Sequence, residues 1–123
     1  MFRNLFNQIP QHSQIATLPK IENITPNELK KRLDAGEPLL LVDVRTPAEY
    51  QYDGHIAGSR LLPLSVLGQR LDELPADQPI VFICRSGNRS MVACEQLAHI
   101  GFENTINLSG GMIGWRMAGF PVQ

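Results

Sequence analysis

The fold is decided by the stretch Ile80-Val81-Phe82-Ile83-Cys84-Arg85-Ser86-Gly87-Asn88-Arg89-Ser90. Its first four residues are all apolar, which is typical of a strand that is buried on both faces. A helical pattern over Met91–Ile100 follows the polar loop, and Gly101 ends that pattern. The order of strand, tight loop and helix places Cys84 at the carboxyl end of a strand.

Strands and helices alternate on both sides of this unit. Thr25-Pro26 and Thr46-Pro47 each combine a capping threonine with a proline at the first helical position. The other predicted elements are strands over 20–24, 39–42, 59–62 and 105–108, and helices over 26–35, 66–71 and 112–118. The alternation predicts an α/β domain over residues 20–123, with a mostly parallel central sheet of about five strands and helices on both faces. Residues 1–19, rich in Asn and Gln, are interpreted as an N-terminal arm or loosely ordered tail.

Composition sets the broad class of the protein. A chain of 123 residues suits one domain, and a formal net charge of −1 gives no basis for binding nucleic acid or an anionic membrane surface. No apolar stretch is long enough for a membrane helix, and residues 1–19 lack the apolar core of a signal peptide. The two cysteines, Cys84 and Cys94, form no disulfide framework and fit a reducing compartment. We therefore expect a cytoplasmic protein without a nucleic-acid or membrane partner.

The loop after the central strand favours a thiolate. An ordinary cysteine has a pKa near ~8.5, so only about 3% is ionised at pH 7. Backbone amides can curl around the sulfur, Gly87 permits a positive φ, and the following helix directs its positive dipole end at the same point. No histidine lies in the loop, so stabilisation of the anion is expected to be electrostatic. Cys84 is the candidate nucleophile, and the candidate substrate-binding residues are Arg85, Ser86, Gly87, Asn88, Arg89 and Ser90.

Four further residues are expected to support the loop. Asp43 and Arg45 follow a buried strand, and we expect them to brace one another or the cysteine loop more than to act in catalysis. Glu49 stands at the third helical position after Thr46, which suits a capping box or an ion pair. His55, between Gly54 and Ile56, is interpreted as a hydrogen-bonded turn residue. Cysteines and histidines lack metal-ligand spacing, so neither a metal nor another cofactor is expected.

The second cysteine has two interpretations. Cys94 lies in the predicted helix with Ala93, Leu97 and Ile100 nearby in the helical pattern. This pattern favours a residue of the core. The alternative is a resolving thiol for Cys84.

Three motifs in this order resemble the rhodanese family. They are Leu41-Val42-Asp43-Val44-Arg45 with Glu49-Tyr50 and Gly54-His55-Ile56-Ala57-Gly58-Ser59, then Cys84-Arg85-Ser86-Gly87-Asn88-Arg89-Ser90, then Asn107-Leu108-Ser109-Gly110-Gly111-Met112 with Trp115. The resemblance covers about Lys20 to Pro121. It implies a rhodanese-like fold and a single-domain enzyme of the thiosulfate sulfurtransferase type. Sulfane sulfur then moves from a small anionic donor such as thiosulfate, through a persulfide on Cys84, to a thiol or protein acceptor.

Two other functions stay open from the sequence. Cysteine phosphatases that share this fold use a Cys-x5-Arg loop, whereas Cys84 and Arg89 are separated by four residues and Ser90 stands where that arginine would fall. The shorter loop suits a single added sulfur better than a phosphoryl group. A persulfide carrier or partner-binding module would keep the same loop. The sequence also predicts that Arg89→Ala mainly weakens use of the donor. It specifies no oligomeric state.

Overall fold

Five parallel strands form one sheet in the computed structural model, which describes residues 20–123. The strands are β1 (Glu22–Ile24), β2 (Leu40–Asp43), β3 (Arg60–Leu61), β4 (Ile80–Ile83) and β5 (Thr105–Leu108). Their spatial order is β1-β5-β4-β2-β3, and every neighbouring pair is parallel. The predicted α/β class is confirmed. The predicted arm, residues 1–19, lies outside the described residues.

Residues 20–123 contain five α-helices, of which four lie between strands and the last follows β5. They are α1 (Pro26–Asp34), α2 (Pro47–Tyr52), α3 (Leu64–Leu67), α4 (Asn88–His99) and α5 (Gly111–Met117), with a 3-10 turn at Leu71–Glu73. Thr25 and Thr46 cap α1 and α2, and both helices begin with complete capping boxes, as predicted. None of the helices in this range has the length and apolar character needed to cross a bilayer.

Alternate residues of the central strands separate two apolar cores. Ile80 and Phe82 of β4 face one core, which includes Leu67 of α3 and Leu97 of α4. Val81 and Ile83 face the other core, which lies mainly under α1 and α5. Its remaining buried members are Ile24, Leu29, Leu41, Ile56, Ile106, Leu108, Met112 and Trp115. The helices therefore cover both faces of the sheet, because successive side chains of a strand point to opposite sides.

Some predicted boundaries were wrong. Helix α4 begins at Asn88, three residues before the predicted Met91, because its N-cap is Gly87 in a left-handed conformation with no capping side chain. Helix α3 occupies Leu64–Leu67 directly after Pro63, and not 66–71. The chain from Leu71 onward forms a separate 3-10 turn. Strands β1 and β3 are shorter than predicted, because they lie at the two edges of the sheet and have one neighbour each.

Candidate active site

Cys84 follows the last residue of β4, a strand that lies between β5 and β2. Its side chain is only 1% exposed and lies inside the loop that connects β4 to α4. The backbone amide of Gly87 donates a hydrogen bond to Sγ at 3.1 Å. Gly87 has a φ of 103°, which only glycine adopts readily and which turns the chain back over the sulfur. The site thus lies at the carboxyl edge of the sheet, as expected for a parallel α/β domain.

The surroundings of Cys84 favour its ionised form. Burial alone raises the pKa of the thiol, but this effect is outweighed by the Ser90 hydroxyl and by the amides of Ser90, Gly87 and Ser86. The result is a lowered pKa. Backbone amides of the loop therefore stabilise the Cys84 thiolate, as the sequence predicted. Charge interaction with the Cys84 thiolate is among the causes that raise the pKa of Arg89, so this arginine and the sulfur favour one another's charged forms.

The start of the loop is held by helix α5. The amide of Met112 donates to the Cys84 carbonyl at 2.9 Å, and that of Ile113 donates to the Arg85 carbonyl at 3.0 Å. Gly111 lies so close to this backbone that a Cβ built on it would come within 2.6 Å of the Arg85 carbonyl oxygen. The third sequence motif therefore supports the second one through backbone contacts.

The two loop arginines have different surroundings. Arg89 forms a bidentate pair with Glu49, with both nitrogen–oxygen distances at 2.8 Å. This pair lowers the pKa of Glu49 to about 2 and raises the pKa of Arg89. Glu49 also accepts from the Thr46 amide, so it serves as both cap and ion-pair partner. Arg85 is exposed, and no carboxylate of residues 20–123 lies within ion-pair distance of it.

A cavity of about 180 Å³ opens beside Arg85. Its lining residues are Arg45, Asp53, Arg85, Met112, Ile113 and Arg116. Arg116 lies over Gly54, where a Cβ would meet its Nη2 atom at 3.1 Å. Arg89 does not line this cavity and instead borders a more apolar one with Val44, Pro63 and Leu64. The arginines that the sequence grouped together therefore face two different cavities.

Asp43 and Arg45 brace one another below the loop. Arg45 donates from Nε to Asp43 Oδ1 at 2.9 Å and from Nη2 to Oδ2 at 2.7 Å, and both side chains are buried. Arg45 Nη2 also donates to the Gly54 carbonyl at 2.8 Å. The pair thereby joins the end of β2 to the turn after α2. A buried pair with this number of hydrogen bonds is a structural unit, because removal of either partner leaves an uncompensated charge.

The surroundings of His55 and Cys94 indicate structural roles for both residues. The His55 ring stacks on Tyr50 with centroids 3.7 Å apart, and its Nδ1 lies 3.0 Å from the Tyr50 carbonyl oxygen. Cys94 is fully buried in the core beside α3, and burial raises the pKa of its thiol to about 12. Such a thiol stays protonated at neutral pH. Residues 20–123 contain no cluster of three or more potential metal ligands.

A polar chain beneath Cys84 was not predicted from the sequence. The Ser90 hydroxyl lies 3.2 Å from Cys84 Sγ and donates to Asn107 Oδ1 at 2.5 Å. Asn107 Nδ2 in turn donates to Asn23 Oδ1 at 3.1 Å. The sequence does contain one sign of this chain, because Asn107 is a polar residue between the apolar residues Ile106 and Leu108 of β5. Its hydrogen-bond partners, Asn23 on β1 and Ser90 on α4, are distant in sequence. Asn88, by contrast, is the exposed first residue of α4.

Comparison with known proteins gives one consistent family. The profile of the Rhodanese-like domain matches residues 25–118. A protein of Allochromatium vinosum named sulfurtransferase is 40% identical over 102 residues, which cover 83% of this chain and 94% of that protein. The crystal structure of a rhodanese-like domain protein from Staphylococcus aureus aligns with a TM-score of 0.74 at 30% identity, covering 83% of this chain and 98% of that one.

A third similar protein has a different description. It is a protein of unknown function from Rhodopseudomonas palustris, described as a possible tyrosine phosphatase. Its structure aligns with a TM-score of 0.76 at 27% identity, covering 84% of this chain and 85% of that one. The fold alone is therefore compatible with a rhodanese-like protein and with a phosphatase. The two functions are distinguished by the loop that follows Cys84.

Proposed function

The chain belongs to the rhodanese-like domain family, and from this premise we propose that it is a sulfurtransferase that carries sulfane sulfur on Cys84. One observation carries the proposal: the Cys84 sulfur is enclosed by backbone amides and a hydroxyl that lower its pKa, without a histidine base. Such a site stabilises an anionic sulfur directly. The same amides suit the thiolate before transfer and a negatively charged persulfide after it.

The first half-reaction begins with the Cys84 thiolate. It attacks the outer sulfur of a donor such as thiosulfate, a new S–S bond forms, and the bond between that sulfur and the sulfonate group breaks. Sulfite leaves with the electron pair of the broken bond. The charge of the thiolate passes to the outer sulfur of the persulfide, so atoms and charge balance without a redox cofactor. Covalent transfer of this type predicts ping-pong kinetics.

The second half-reaction empties the site. A thiolate acceptor attacks the outer sulfur of the persulfide, and Cys84 leaves as a thiolate stabilised by the same amides. Ser86 and Asn88 of the loop are exposed, so the acceptor approaches the loop from their side. A small thiol or a cysteine at the surface of a partner protein could act as the acceptor. A chain that works mainly with a protein acceptor would be a persulfide carrier, the alternative retained from the sequence.

Recognition of the donor is assigned here to Arg85 and Arg116. Both line the cavity beside the loop, and Arg45 in the same wall is already neutralised by Asp43. Arg89 is neutralised by Glu49 and lines the other cavity. We therefore revise the expectation that Arg89→Ala mainly weakens donor use. Arg85→Gln is expected to raise the KM for thiosulfate more than Arg89→Gln does, and the reverse order would contradict this assignment.

Intact mass spectrometry after thiosulfate treatment tests the proposed function. The expected result is a gain of one sulfur atom on the wild-type chain, mapped to Cys84 and removed by a thiol. Cys84→Ser is expected to abolish the gain, and Cys94→Ser serves as the matched control that retains it. A wild-type chain that gains no sulfur from thiosulfate or from a protein persulfide would overturn the proposal.

The phosphatase alternative is disfavoured by loop length. Only four residues separate Cys84 from Arg89, and Arg89 is held in a bidentate pair by Glu49. A phosphoryl group needs its three equatorial oxygens to be bound at once, which calls for a wider loop and a free arginine. An aryl phosphate assay decides the matter. Turnover that depends on Cys84, together with absence of sulfur loading, would favour the phosphatase.

A further inference from the structure

The Ser90 hydroxyl has one proton and two candidate acceptors. It lies between Cys84 Sγ at 3.2 Å and Asn107 Oδ1 at 2.5 Å, and both Ser90 and Asn107 are buried. The shorter distance falls in the range of about 2.5–3.0 Å for O–H···O bonds and below the range of about 2.7–3.2 Å for N–H···O bonds. This supports an amide that presents its oxygen to Ser90. Asn23 Oδ1 fixes the same orientation, because it accepts from Asn107 Nδ2.

The position of the Ser90 proton depends on the charge of the sulfur. When Cys84 is a neutral thiol, Ser90 donates to Asn107 and accepts from the S–H group. When Cys84 is a thiolate, the strongest acceptor near Ser90 is the anion, since hydrogen bonds to charged groups exceed neutral ones. The hydroxyl then has to turn away from Asn107. The carbonyl oxygen of the buried Asn107 side chain loses its donor in that state.

We propose that Asn107 is a positioning residue that competes with the Cys84 sulfur for the Ser90 proton. The inference rests on the proposed function, in which the Cys84 sulfur alternates between charged and neutral forms. Ser90 faces the sulfur while it is a thiolate and returns to Asn107 once the charge has moved to the outer sulfur of the persulfide. Asn107 thereby favours the loaded state, in which Ser90 bonds to it, over the free thiolate.

Other charged groups around the site do not provide this competition. Arg89 is paired with Glu49 from α2, and Arg45 is paired with Asp43 at the end of β2. The cavity beside the loop adds Arg85 on the loop, Arg116 on α5 and Asp53 just after α2, and the Cys94 thiol lies on α4. Burial raises the pKa of the Cys94 thiol to about 12, so this thiol stays protonated near neutral pH. The Ser90 proton is the element that changes partner.

The test is the pH dependence of Cys84 alkylation by iodoacetamide, followed by peptide mass mapping. This assay needs no sulfur donor, so it can fail independently of the proposed function. Ser90→Ala is expected to raise the midpoint by about one to two pH units, since a bond to an anion is lost. Asn107→Leu is expected to lower it by about half to one pH unit, because Ser90 is released to the thiolate. Opposite shifts from two bonded neighbours are not expected of a purely structural contact.

Two further variants make the test independent of folding problems at Asn107. Asn23→Ala changes an exposed side chain and lets the Asn107 amide rotate, so we expect a smaller shift in the same downward direction as Asn107→Leu. Thr105→Val is the matched control, because Thr105 faces the same side of β5 near Cys94 and should leave the midpoint unchanged. An unchanged midpoint in both asparagine variants would overturn the proposal. An upward shift would also overturn it, because it would mean that the amide donates to Ser90 and assists the thiolate.

Discussion

Replacement of Gly111 by alanine should disturb the active-site loop through a single added carbon. Gly111 has a φ of 55°, and its absent Cβ would overlap the Cys84 carbonyl oxygen and come within 2.6 Å of the carbonyl carbon and oxygen of Arg85. These atoms are backbone, so no side-chain rotation can relieve the contact. Helix α5 would have to move away from the loop and weaken its two amide bonds to it.

Gly110 provides the matched control because it shares the conformation but not the crowding. Its φ is 79°, and a Cβ there would lie 3.6 Å from the nearest atom, Gly114 Cα. Left-handed backbone costs alanine about 1–2 kcal/mol, and reduced entropy of the unfolded chain returns about 0.4–1 kcal/mol. Gly110→Ala should therefore cost about 1 kcal/mol. Gly111→Ala adds overpacking of about 1–3 kcal/mol and part of two hydrogen bonds, for a total of about 3–5 kcal/mol.

Urea unfolding of both variants at pH 7 measures the difference. The expected gap in free energy of unfolding is about 2–4 kcal/mol, obtained by subtracting the two costs above. Alkylation of Cys84 in the folded Gly111 variant should also change in rate, because the loop is displaced. Equal destabilisation by the two alanines, within about 0.5 kcal/mol, would refute the claim that Gly111 supports the loop by close approach.

Three further predictions concern the residues around the loop. Asp43→Ala should lower the free energy of unfolding by about 3–5 kcal/mol, because Arg45 is left buried and unpaired; a loss under about 1 kcal/mol in urea titration would contradict this. Glu49→Gln should have a lower free energy of unfolding than the wild type above about pH 5, and this deficit should disappear as the pH falls toward 2. The reason is that Arg89 lowers the pKa of Glu49 from 4.5 to about 2. A difference that is constant from pH 6 to pH 2 would exclude this linkage. Cys94→Ala should retain sulfur loading of the chain in mass spectra, and abolished loading would support a resolving thiol.

The parts of the fold that the sequence predicted best are those with strong local patterns. The strands at Ile80–Ile83 and Thr105–Leu108 were predicted to the residue, because each is a short run bounded by polar or turn residues. Helices α1 and α2 were found from capping threonines. The start of α4 was missed because its cap is a glycine backbone, which leaves no side-chain signal.

The parts of the site that were not predicted depend on contacts between residues that are far apart in the sequence. Glu49 and Arg89 are 40 residues apart, and nothing local to either one indicates that they pair. That pairing is the reason for the proposal that Arg85 and Arg116 bind the donor. No role of its own was assigned to Asn107 from the sequence, because its contact with Ser90 exists only once β5 lies beside β4. Local sequence thus singled out Cys84 and the amides around it, whereas the pairing of the charged side chains required the tertiary structure.

The parallel order of the sheet has a consequence for the protein during its synthesis. Strand β1 emerges from the ribosome early, but its neighbour in the sheet is β5, and the contact between Asn23 and Asn107 spans 84 residues. The Cys84 loop likewise emerges before β5 and the α5 amides that hold it. At about 5–20 residues per second, a nascent chain carries Cys84 without these contacts for on the order of one to several seconds. During that interval the thiol is an ordinary cysteine, and the properties of the site appear only when the last strand is added.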